Sequence, residues 1–154
     1  MDETEYRQTY RAINDLPCVF QKAILTRTCA CSRAHRFCLA EREGVACTSP
    51  AARDRCADFL HRLRENARFA MGVVAVGGAM AHGKEMKLQC GGLRGLQHAI
   101  SGVEGGGIEG NVEDVSGLLD QGLARHGEMA DLPYAEIVQG VAEFKNRRRS
   151  RHRD

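Results

Sequence analysis

Six of the seven cysteines, at positions 18, 29, 31, 38, 47 and 56, fall within 39 consecutive residues, whereas fifteen of the seventeen glycines lie between Gly72 and Gly127. Any fold of this chain must therefore house a thiol-rich half and a half whose backbone segments can approach closely. Charge divides at the same place. Cys18 to Phe69 holds ten Lys or Arg against five Asp or Glu, and Ala70 to Phe144 holds four against ten. With 154 residues the chain suits one domain. We read residues 1–17 as a polar N-terminal segment and 18–144 as a single helical domain. That domain has a cysteine-rich basic half (18–70) and a glycine-rich acidic half (71–144), and 145–154 form a basic tail.

The pattern excludes several classes. No run of eighteen apolar residues is present, and the opening MDETEYRQTYRAIND is acidic and polar, so neither a membrane span nor a signal peptide is expected. The expected location is the cytoplasm. Seven cysteines cannot all pair within one chain. Trp is absent and aromatic residues make up 5%, which leaves little material for stacking single-stranded nucleic acid.

Helix signals dominate, and an all-α domain is expected. Ser49 and Pro50 form an N-cap and first-turn pair, followed by Cys56, Phe59, Leu60, Leu63 and Ala67 at helical spacing. Upstream, 18–28 and 32–43 each suit a short helix. The second would be capped by Ser32, with Ala34, Phe37, Cys38 and Glu41 recurring, and Cys29 and Cys31 fall in the break. Downstream, 90–100 reads as a helix notched by Gly91, Gly92 and Gly95. Asn111 is the expected cap of a helix that Gly127 stops, and Pro133 opens a last helix burying Ile137, Val138, Val141 and Phe144. The run at 71–78 is strand-like, and 101–111 reads as a flexible loop.

The cysteines carry the chemistry. Burial as small hydrophobes explains one or two, with Cys38 and Cys90 the best cases, but not six in so short a stretch. Disulfides are disfavoured because Cys29 and Cys31 cannot bond across one residue without strain. A metal or cluster site remains. Zinc knuckles place ligands two to four residues apart, and no C-x2-C occurs here. The ligand loops of bacterial and plant-type ferredoxins are absent too. Thiolates dispersed over separate elements suit a [4Fe-4S] cluster, which is wider than one zinc ion. The expected ligands are Cys18, Cys47 and Cys56 with either Cys29 or Cys31. Lys22, Arg27, Arg33, Arg36, Arg42, Arg53 and Arg55 stand close in sequence and would offset the negative cluster.

Other chemistry is thin. The six histidines are scattered, and no H-E-x-x-H, G-x-S-x-G or Walker sequence is present. Residues 81–92, with His82, Lys84, Glu85 and Cys90, read as an exposed polar loop, the alternative being a cover for the cluster or a small-anion site at a helix start. The arginine-rich tail reads as a solubilising end or a contact for nucleic acid, a membrane surface or an acidic protein. The expectation is a non-enzymatic iron-sulfur protein that transfers electrons or serves as a redox accessory for a protein partner. The alternatives are a redox-sensing regulator that binds nucleic acid through the tail, or a zinc-stabilised interaction module.

Overall fold

The longest amphipathic stretch becomes the central helix. Counted in chain order, the elements are α1 (Glu3–Ile13), α2 (Gln21–Leu25), β1 (Ala34–Leu39), β2 (Arg42–Cys47), α3 (Pro50–Met71), α4 (His82–Ser101), α5 (Val115–His126) and α6 (Tyr134–Glu143), with a short 3₁₀ turn, Met129–Asp131, before the last helix. These assignments come from a computed structural model that describes residues 2–71, 81–102 and 110–145. The expected strand-like run beyond Met71, most of the glycine-rich loop and nearly all of the basic tail lie outside them.

α3 starts where Ser49 and Pro50 dictate, with Ser49 Oγ accepting from the Ala52 amide at 3.2 Å. It buries Phe59, Leu60, Leu63 and Ala67 on one face. Against that face pack Leu88, Leu93 and Leu96 of α4, Leu119 of α5, and Ile137 and Val141 of α6. Apart from Leu88, these residues recur at the expected helical spacing, and the structure extends the expected 90–100 helix back to His82. Residues 82–92 are therefore the first half of α4, not an exposed loop. Glu85 and Gln89 lie buried on it.

The glycine notches do what their spacing implies. A Cβ on Gly95 would lie 2.3 Å from the Ile137 carbonyl oxygen, and one on Gly91 would lie 2.6 Å from that of Gly140. Gly140 in turn faces Gly91 and Gly95, so α4 and α6 cross backbone to backbone along a stripe without side chains. α4 ends on Gly102 in the left-handed region, where glycine carries no Cβ penalty.

The all-α expectation needs one correction. The chain is mostly helical, but residues 34–47 form an antiparallel hairpin, with Ala34 opposite Cys47 and Leu39 opposite Arg42. Ala40 and Glu41 make its turn at φ of 51° and 68°, a conformation that two-residue hairpin loops require and that neither residue type advertises. The expected helix from Ser32 to Glu43 therefore does not form. Cys38, expected in the core, is exposed on the hairpin, whereas Cys90 is buried as anticipated. The polar N-terminal segment also folds. Asp2 and Glu5 form a capping box that opens α1. The helix expected over 18–28 shortens to α2, and α5 starts from Asp114 rather than Asn111.

Candidate metal centre

Four chain segments converge between the hairpin and the start of α3. The stretch from Leu16 to Cys18 runs beside the end of β2. Pro17 bridges Ala46, the Cys18 amide donates to the Val45 carbonyl at 3.0 Å, and the Cys47 amide donates to the Leu16 carbonyl at 2.7 Å. Cys18 and Cys47 are thereby held on adjacent strands of backbone. Cys31 sits in the turn entering β1, which the Ala34 amide closes onto the Cys31 carbonyl. That turn is pinned to the far end of the hairpin by the Thr48 amide, 2.8 Å from the Arg33 carbonyl. Cys56 projects from the second turn of α3. Arg53, one turn earlier, donates through Nε to the Pro17 carbonyl at 2.7 Å.

These four cysteines line one pocket. Phe20, Ile24, Ala52 and Val115 supply much of its apolar wall, and Arg33 and Arg53 are the charged residues on its lining. All four thiols are half-buried and unpaired. Burial pushes the Cys56 thiol up to about 12, with the neighbouring Cys31, Cys18 and Cys47 adding to the rise. Burial likewise pushes Cys18 up to about 11, with Cys31 and Cys47 contributing.

Opposing donors are built in. The Phe20 amide faces the Cys18 sulfur. The Arg33 amide donates to Cys31 Sγ at 3.4 Å, and the Ser116 amide, in the first turn of α5, also reaches it. Burial still leaves Cys31 raised. The electrostatics therefore permit two states: four neutral thiols, or a set of thiolates around a positive centre that reverses the cost of ionisation. Backbone N–H groups aimed at sulfur favour the second state and are the kind of contact that tunes cluster thiolates. As the side chains stand, no group of three or more His, Cys, Asp or Glu among the described residues is placed to hold a metal ion.

Of the expected ligands, the structure brings Cys18, Cys31, Cys47 and Cys56 together and leaves Cys29 apart. Cys29 is buried in the core, bridged through its backbone to Val112, and its electrostatic neighbours are Cys90 and Arg94. Burial holds its thiol up at about 12. The two cysteines of the C-x-C pair thus face different environments, fixed by the backbone pairing of Cys29 with Val112 on one side and the turn into β1 on the other.

Two supporting residues were not expected. Asp114 Oδ1 accepts from the Ser32 amide at 2.9 Å and from Ser32 Oγ at 3.0 Å, and its carboxylate also faces the Cys31 thiol. Although burial opposes it, these hydrogen bonds hold the Asp114 carboxyl below its ordinary range. Ser116 adds its amide. Both sit at the start of α5, which reaches the Cys31 turn because Ala30 and Val112 lace the two segments together. An acidic residue before the helix was the available signal, but its partner lies 82 positions away. No protein-family model, curated protein or solved structure matches this chain.

Proposed function

We propose that this chain binds one [4Fe-4S] cluster through Cys18, Cys31, Cys47 and Cys56 and passes single electrons to or from a protein partner. The observation that carries the reading is the convergence of four thiols from four separate segments on one pocket, with backbone amides directed at two of the sulfurs. Plain core burial accounts for Cys29 and Cys90, which sit within the hydrophobic core. Cys18, Cys31 and Cys56 also pack against that core, and what burial alone leaves unexplained is their gathering with Cys47 on one pocket beside two arginines.

The chemistry of the donor set suits a cluster, although the side chains must shift to hold one. Thiolates are its usual ligands, and the arginines offset the negative charge that four of them carry around the iron-sulfur core. When bound, the cluster supplies the one-electron couple. The chain's own residues then supply burial, amide donors to sulfur and positive charge, three of the levers that set a cluster's potential. Electron transfer is the simplest use, because it needs no further reactive group beside the pocket.

Anaerobic reconstitution with ferrous iron and sulfide tests this. The expected product is brown, holds about four irons and about four sulfides per chain, and bleaches on reduction. Colourless protein that retains zinc instead would point to a structural zinc site of four thiolates and an interaction module.

A further inference from the structure

A second opening lies on the other side of the Cys18 turn. It shares Cys18 and Val19 with the thiol pocket and is lined also by Gln21, Lys22, Arg64, Glu85 and Gln89. Glu85 is the one carboxylate on either lining. It is already held by Arg64 at 2.6 Å and by Gln89 Nε2 at 2.8 Å.

Apart from Arg64, the cations on these two linings differ from those nearby. Arg27 and Arg36 pair with Glu43, Arg42 with Glu3, and Arg55 with Asp120. Lys22, Arg33 and Arg53 have no carboxylate within ion-pair distance among the described residues. Lys22 Nζ lies 2.9 Å from His82 Nδ1, and Arg53 is engaged by a backbone carbonyl. Asp114, on the far side of the Cys31 turn, is taken up by Ser32. These three cations, on α2, the Cys31 turn and α3, border two openings that share Cys18 and Val19, Lys22 on one and Arg33 and Arg53 on the other.

We infer that this face is a docking surface for an acidic redox protein, which would approach the proposed cluster over Cys18. The inference rests on the four-thiol reading for its purpose and on Lys22, Arg33 and Arg53 for its chemistry. Cations spread over three elements and two openings match an extended acidic surface better than one chelated anion. Such complementarity mainly speeds encounter and fixes orientation, and it weakens with salt.

Calorimetry on the full chain, with an acidic flavodoxin as probe and a basic cytochrome c as control, tests the inference. At low salt the flavodoxin should bind and the cytochrome should not. High salt, or the double variant Lys22→Glu with Arg33→Glu, should weaken flavodoxin binding about tenfold or more. Circular dichroism of the double variant should match that of the parent, since neither side chain supports a buried contact partner. Flavodoxin binding that is absent, indifferent to the double reversal, or matched by the cytochrome overturns the docking face. Iron counted on the same samples reports on the four thiols separately. Iron-free protein that still binds flavodoxin through Lys22 and Arg33 keeps the docking face and removes the cluster, whereas loaded protein that ignores charge does the reverse.

Discussion

Arg53 Nε donates to the Pro17 carbonyl at 2.7 Å, which ties the helix carrying Cys56 to the turn presenting Cys18. This bond joins two segments that carry proposed ligands and are distant in sequence, so its loss should loosen the site more than the fold. Replacing Arg53 by Met keeps the apolar stem and removes the donor. Denaturant unfolding should show a loss of about 1 to 2 kcal/mol, and a chelator should strip iron faster from the variant. Arg62→Met, which removes an exposed pair with Asp58 on the same helix, should leave both unchanged.

The crossing of α4 and α6 makes a sharper stability prediction. Gly95→Ala places a methyl 2.3 Å from the Ile137 carbonyl, where backbone must move. The expected cost is about 1 to 3 kcal/mol, read as a lower denaturation midpoint. Gly83, in the first turn of the same helix, meets nothing within 4 Å. Gly83→Ala should stabilise by about 0.4 to 1 kcal/mol, because it restricts the unfolded chain without a clash.

Much of this architecture was legible because its signals are local. Ser49–Pro50, the apolar stripe of α3, the glycines of α4 and the stop at Gly127 each announce themselves within a turn or two. The hairpin was not legible. Its turn residues, Ala40 and Glu41, adopt positive φ without the glycine or asparagine that would mark it, and Ala34, Phe37, Cys38 and Glu41 happen to recur at helical spacing. For the candidate site, the four cysteines that meet were all within the expected set. The choice between Cys29 and Cys31 depended on which way the segment faces, and that is fixed by a backbone pairing with Val112 that sequence spacing does not reveal.

Asp114 joins the Cys31 turn to α5, accepting from both the amide and the hydroxyl of Ser32. Asp114→Ala removes that acceptor. A loss of about 1 to 2 kcal/mol is expected. Because Cys31 is the thiol this turn presents, reconstituted iron should also become more accessible to chelator. Asp114→Asn, which keeps an acceptor oxygen, should recover most of the stability.

The metal-free protein should lose stability in alkali. Cys18 is raised from 9.0 to about 11, and Cys56 and Cys29 from 9.0 to about 12, in each case chiefly by burial. Their folded values exceed their unfolded ones, so the unfolded chain releases protons first. This contribution is fully present below pH 9 and is lost as pH rises toward 11 and 12. Thermal midpoints of reduced, metal-free protein should therefore fall steadily above that pH. A midpoint flat to pH 11 would mean that the thiols are not desolvated as the structure has them.

The most direct measurement is iron and acid-labile sulfide per chain, after anaerobic reconstitution, across single Cys→Ser variants at all seven positions. Loading should collapse for Cys18, Cys31, Cys47 and Cys56. It should persist for Cys29, Cys38 and Cys90, with Cys29→Ser and Cys90→Ser losing stability from a buried hydroxyl and Cys38→Ser losing none. Full loading in the Cys31 or Cys47 variant, or loss of iron with Cys29 alone, would contradict the four-thiol centre.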